Sequence, residues 1–177
     1  MTFVALLRGI NVGPGRSVPM ADLRTLCQGL GWRNVRTYIQ SGNVVFEAEG
    51  NDSLLFGELE KALGERYPFP IPVLIRSEGE WRELAADRPF GGWSHPKQLS
   101  ATLLDGVPDP HKWQALAPWR EADDEIELIG DRVWVKTPGG YGVTKFSNTF
   151  LEKKLGRRAT TRNRATVEAL LGMVTSG

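Results

Sequence analysis

Five apolar residues in an unbroken row, Phe3-Val4-Ala5-Leu6-Leu7, restrict the fold more than any other feature of this chain. Such a run, ending at Arg8-Gly9, suits a strand buried on both faces. Val44-Val45-Phe46 is apolar on both faces as well. A lone sheet with helices on one side would leave its other side in water, so a second layer must cover it. The other half of the chain is the nearest candidate.

The order of elements follows from periodicity and punctuation. After a glycine-rich loop, Pro19 sits where a first helical position belongs, and Met20, Leu23, Leu26, Cys27 and Leu30 recur at helical spacing up to Gly31. Strands are predicted over Val35–Gln40 and Val44–Glu47. A helix capped by Asn51 or Asp52 follows, carrying Leu55, Leu59, Ala62 and Leu63, and then a strand over Val73–Arg76. This β-α-β-β-α-β order is the split, ferredoxin-like pattern. Ser77 and Glu80 have capping-box spacing for a helix with Trp81, Leu84 and Ala85. Arg88 to Pro96 is a loop, Gln98–Leu104 a strand, and Asp109-Pro110 opens a short helix. Glu125–Ile129 and Arg132–Lys136 form a hairpin through Gly130-Asp131. Two closing helices carry Phe146, Phe150, Leu151 and Leu155, then Val167, Leu170, Leu171 and Val174. The expected fold is α+β: two ferredoxin-like (βαββαβ-type) subdomains packed together, over residues 1–77 and 78–177, the second incomplete or rearranged in its last strand.

Composition narrows the function classes. With 177 residues and 41% hydrophobic content the chain can bury a core, and a net charge of +1 gives no global case for nucleic acid or membrane. The charge is uneven, however. Glu121 to Asp131 holds six acids and no base, whereas Tyr141 to the end holds seven bases and two acids. Cys27 is the single cysteine, which excludes an intrachain disulfide, and its place on an apolar helix face reads as core packing. No secretory leader or membrane-spanning run is apparent, so a cytoplasmic location is expected. His95 and His111 lack metal-ligand spacing, and neither a metal nor another cofactor is expected.

Polar groups concentrate at four places. Arg36, Tyr38 and Gln40 alternate with Val35, Thr37 and Ile39 and so share one strand face, beside the turn residues Ser41, Gly42 and Asn43. They either hold a polar ligand or form a polar seam between the halves. The loop Gly9 to Ser17 joins a strand to a helix, a placement that can hold an anion, with Arg8 and Asn11 as contacts. Its spacing matches neither the dinucleotide fingerprint nor the P-loop. Lys145, Ser147 and Asn148 precede one helix, and Arg162 and Asn163 another. Helix capping accounts for several of these residues, and the surrounding basic residues suit a phosphate or carboxylate. Catalytic residues cannot be assigned from the sequence.

The segments Leu6 to Gly13, Pro19 to Leu23, Arg36 to Phe46, Thr144 to Asn148 and Ala159 to Asn163 resemble the bacterial domain-of-unknown-function family 1697. That resemblance implies two α+β, ferredoxin-like subdomains and no established activity. It directs attention to Arg8, Asn11, Tyr38, Gln40, Ser41, Asn43, Lys145, Ser147, Asn148, Arg162 and Asn163. Where a tryptophan often follows Thr-Arg-Asn in the family, this chain has Arg164. Three readings stand. The first is a binding module for an anionic partner, a nucleotide or short nucleic acid, in a polar cleft between the halves. The second is an enzyme using the same cleft on a phosphorylated or acylated metabolite, with Lys145 as electrophile or base and Ser147 as candidate nucleophile. The third is that the polar residues are structural. Oligomeric state does not follow from the sequence.

Overall fold

The computed structural model describes residues 1–93, 95–119 and 123–176. Ser94 of the expected loop and Glu121 at the head of the acidic run lie outside the described residues. The chain forms two compact units, Met1–Ala85 with Leu170–Gly177, and Ala86–Ala169.

The first unit runs β1 (Thr2–Leu7), α1 (Met20–Gly29), β2 (Arg33–Tyr38), β3 (Asn43–Glu47), α2 (Asp52–Arg66), β4 (Val73–Ser77) and α3 (Glu78–Ala86). Its antiparallel sheet has the order β2-β3-β1-β4. Register places Phe3, Ala5 and Leu7 on one face with Val44, Phe46, Val73 and Ile75. These pack into one core with Leu23, Cys27, Leu55, Leu59 and Leu63 of the two long helices. Trp32 lies flat on Phe46, with ring centroids 3.8 Å apart. Val4, Leu6 and Val45 on the other face are fully buried too, as the unbroken apolar run requires. The expected caps form: Asn51 accepts from Leu54 N, and Ser77 and Glu80 exchange bonds as a capping box. Burial pushes the Cys27 thiol up to about 12, so it acts as an inert core residue.

The second unit contains α4 (Pro89–Gly92), β5 (Leu99–Leu104), α5 (Pro110–Gln114), β6 (Glu125–Ile129), β7 (Arg132–Lys136), α6 (Asn148–Leu155) and β8 (Ala159–Asn163). It also holds the start of α7 (Arg164–Thr175). Its sheet order is β6-β7-β5-β8. The fourth strand, expected to be missing or displaced, is therefore present: Ala159-Thr160-Thr161-Arg162-Asn163 pairs along β5. Its polar, cap-rich residues read as a helix entrance because no apolar alternation marks them, whereas backbone pairing to a central strand decides their conformation. The two units correspond residue by residue. Arg76 opposes Val4 in one sheet and Arg162 opposes Ala101 in the other, each the fourth residue of its closing strand. Ser77 and Asn163 each end that strand and cap the next helix, Asn163 Oδ1 accepting from Thr166 N at 2.8 Å.

The acidic run is less solvated than its composition suggests. The strand β6 is an edge, but Glu125 pairs with Lys136 at 2.9 Å, Glu127 accepts from Phe90 N, and Asp124 accepts from the Thr144 hydroxyl. Asp87 is the centre of a polar knot in this unit. Both its oxygens accept from Arg132, at 2.6 and 2.9 Å, and Oδ2 also accepts from Trp134 Nε1 at 2.8 Å. Arg164 stands over the Trp134 ring.

Candidate functional site

The turn between β2 and β3 and the loop after β1 form one stitched assembly. The strand β2 ends at Tyr38, so Gln40 is not a strand residue as its place in the alternation suggested, and Ile39 does not continue the buried face. Ile39 has φ +49 and is 52% exposed. Asn43 is fully buried, and its amide donates to Tyr38 O and Ser41 Oγ at 3.0 Å. Asn11, at φ +55, donates to Val18 O and Gln40 O and accepts from Val18 N, which ties the loop to the turn. Arg16 donates to Gly9 O and Pro70 O and stacks on Phe69. Asn11 and Asn43 are thus occupied in holding backbone, and Gln40 and Ser41 remain exposed at the tip.

A β-branched residue in the left-handed region costs about 1–2 kcal/mol, and half-exposed Ile39 recovers little of it by burial. Ile39→Asn, which tolerates this conformation, is expected to raise stability by about 1 kcal/mol. A urea midpoint measured against the parent chain checks this, and an unchanged or lower midpoint refutes it.

Arg36 and Tyr38 lie on the same face of the edge strand β2. Arg36 Nη2 donates to Met173 O at 2.8 Å, while its Nε–H is buried with no acceptor. Arg36 also lines a hollow of about 500 Å³, together with Gln28, Asn34 and Val35. Arg8 is half-buried, and its backbone N–H donates to Pro72 O.

In the second unit the residues before α6 and α7 have mostly local duties. Ser147 caps α6 by accepting from Phe150 N at 3.2 Å. Glu152 accepts from Ala159 N. Asn148 Oδ1 accepts from the Thr161 hydroxyl, which also accepts from Tyr141 OH and meets Thr102 Oγ1 at 2.7 Å. Arg162 is 8% exposed, donates to Thr160 Oγ1 and Thr161 O, and is pushed down to about 10 by desolvation. Lys145 is exposed. The catalytic reading required a buried Lys145 beside an uncommitted Ser147, whereas Lys145 is exposed and Ser147 caps α6.

The sequence reading passed over Gln28 and Asn34 beside Arg36, and over Tyr141 and Thr161. Neither pair has a local signature, because each is assembled across strands or between a helix and a strand. Asn34, two residues before Arg36 at the irregular start of β2, was the one available hint; it takes φ +49. Among the described residues no group of three or more His, Cys, Asp or Glu could hold a metal, and no helix is long and apolar enough to cross a membrane.

Comparison with known proteins agrees with this architecture and adds no activity. The conserved bacterial protein SP0830 from Streptococcus pneumoniae has a similar structure, with a TM-score of 0.73 and 26% identity over 98% of each chain. No curated protein matches. Residues 1–134, which carry the stitched loop, the β2–β3 turn and Arg36, match a family described as protein of unknown function, and on that match the chain belongs to the DUF1697 family.

Proposed function

We propose that this protein binds an anionic ligand, a nucleotide or short nucleic acid, on its first unit, with Arg36 as the principal cation. The observation that carries the reading is the buried Arg36 Nε–H, which has no acceptor, in a residue that lines a hollow together with Gln28, Asn34 and Val35. A guanidinium with an unused donor matches a phosphate or carboxylate oxygen, and an orphaned buried donor is costly unless something fills it. Tyr38, half-buried on the same strand face, offers a ring on which a base can stack. We read both units as ferredoxin-like, a reading supported by their matching strand orders. The structural reading is favoured for Asn11, Asn43, Ser147 and Asn163, whose side chains are committed to backbone groups.

A thermal-shift series with ATP, ADP and a short oligonucleotide, at low and moderate salt, tests the proposal. A ligand at one hundred times its Kd adds about 2.7 kcal/mol to stability. The expected result is a salt-sensitive shift in the parent chain that Arg36→Gln abolishes and Lys145→Gln leaves in place. No shift with any of the three, or a shift unchanged in Arg36→Gln, overturns it.

A further inference from the structure

Three positions on one face of the second sheet carry hydroxyls where the first sheet carries apolar groups. Register pairs Ala5 with Ile75 in one sheet and Thr102 with Thr161 in the other. Two residues earlier on β1 and β5, Phe3 corresponds to Ser100. Phe3, Ala5 and Ile75 all pack into the apolar core of the first unit, so the shared sheet does not itself call for hydroxyls there. Polar groups at such positions forgo apolar burial and are costly unless bonded. Ser100 is 2% exposed and Thr102 fully buried. Thr161 is the hub: its Oγ1 accepts from Tyr141 OH at 3.0 Å, donates to Asn148 Oδ1 at 2.7 Å and lies 2.7 Å from Thr102 Oγ1. Its single proton goes to Asn148, so Thr102 is the donor of that last bond. Asn148 thereby commits its oxygen, and its NH₂ has no acceptor among the described residues. Tyr141, Asn148 and Thr161 are all half-buried, so the network reaches the surface.

We propose that this network binds a sugar, with neighbouring hydroxyls on Asn148 and Tyr141. Every group in the network is uncharged, and an ion brought against it would lose hydration without meeting an opposite charge there. A sugar hydroxyl donates and accepts at once. It can accept from the Asn148 NH₂, while its neighbour donates to the phenol oxygen of Tyr141. The half-buried Tyr141 ring suits the C–H face of the same molecule. Thr161 and Thr102 fix the two contact groups from behind.

The test titrates the ¹⁵N-labelled full chain with methyl glucoside, methyl galactoside and ribose, and with acetamide and acetate for comparison. The Asn148 side-chain NH₂ signal, assigned by its absence in Asn148→Ala, is the readout. At least one sugar is expected to move it saturably, with acetamide and acetate about tenfold weaker. Thr102→Val combined with Thr161→Val removes both hydroxyls at nearly constant shape. A network kept for a ligand predicts an unchanged or higher urea midpoint in this double variant. Sugar affinity, read there on the same NH₂ signal, should fall about tenfold because Asn148 and Tyr141 are no longer held. Asn148→Ala, read at the Tyr141 backbone amide, should weaken the sugar by a similar factor. A lower midpoint in the double variant assigns the hydroxyls to holding the sheet and overturns the proposal. So does sugar binding that neither variant weakens, equal binding of acetamide or acetate, or no saturable shift with any sugar. Arg36→Gln should leave sugar binding intact, so this proposal and the Arg36 reading fail separately.

Discussion

Replacing Asp87 with alanine is expected to destabilise the protein by about 3–5 kcal/mol, the loss found when one member of a buried ion pair is removed. The Asp87 side chain is 9% exposed and that of Arg132 15%, so water cannot take over the vacated bonds. Three donors lose their acceptor at once: Arg132 Nε and Nη2, and the fully buried Trp134 Nε1. The hydrogen bond to Asp87 keeps the arginine firmly protonated, so it cannot escape the mismatch by losing its charge. In a chain of this size the loss corresponds to a Tm lower by roughly 6–20 °C. Asp87→Asn keeps the shape but swaps an acceptor oxygen for a donor facing a guanidinium, so it should recover little. Asp87→Ala combined with Arg132→Met should recover much of the loss, because the uncompensated charge goes with the arginine. A double mutant no better than Asp87→Ala refutes the argument and moves the weight to Trp134.

Nothing local announces this knot. Asp87 sits between α3 and α4, Arg132 and Trp134 open a hairpin strand, and only folding brings them together. Elements set by short-range rules were legible: the hairpin through Gly130-Asp131, the Asn51 cap and the Ser77–Glu80 box all form as their spacing indicates. The strand β8 was not, because residues suited to capping fill an edge whose pairing depends on β5, more than fifty residues earlier. The candidate site divides the same way. The motif Arg36 to Phe46 was visible, yet its alternation placed Gln40 with Arg36 and Tyr38, and the chain leaves the strand before reaching it. What redirects it is the fit of Gly42 against Leu7 and Ile10, a contact between segments thirty residues apart.

That fit leads to the second large effect. Gly42→Ala should cost about 2–5 kcal/mol, from two sources. At φ +87 an alanine is strained by about 1–2 kcal/mol. Its Cβ would also lie 2.7 Å from Leu7 Cβ and 2.9 Å from Ile10 Cδ1, overpacking worth about 1–3 kcal/mol. Neither neighbour can yield cheaply, since both are at most 2% exposed and Leu7 belongs to the central strand. Moving the turn instead breaks the bond from Leu7 N to Gly42 O, now 2.8 Å. It also disturbs Asn43, whose amide fixes Tyr38 O and Ser41 Oγ. Gly13→Ala is the control, because Gly13 has φ +70 but nothing within 4 Å of an added Cβ. Only the strain remains there, so its loss should stay near 1 kcal/mol. Urea midpoints of the two variants separate the contributions. If both fall equally, backbone strain alone accounts for Gly42, and the contact with Leu7 and Ile10 is not what holds the turn beneath Tyr38.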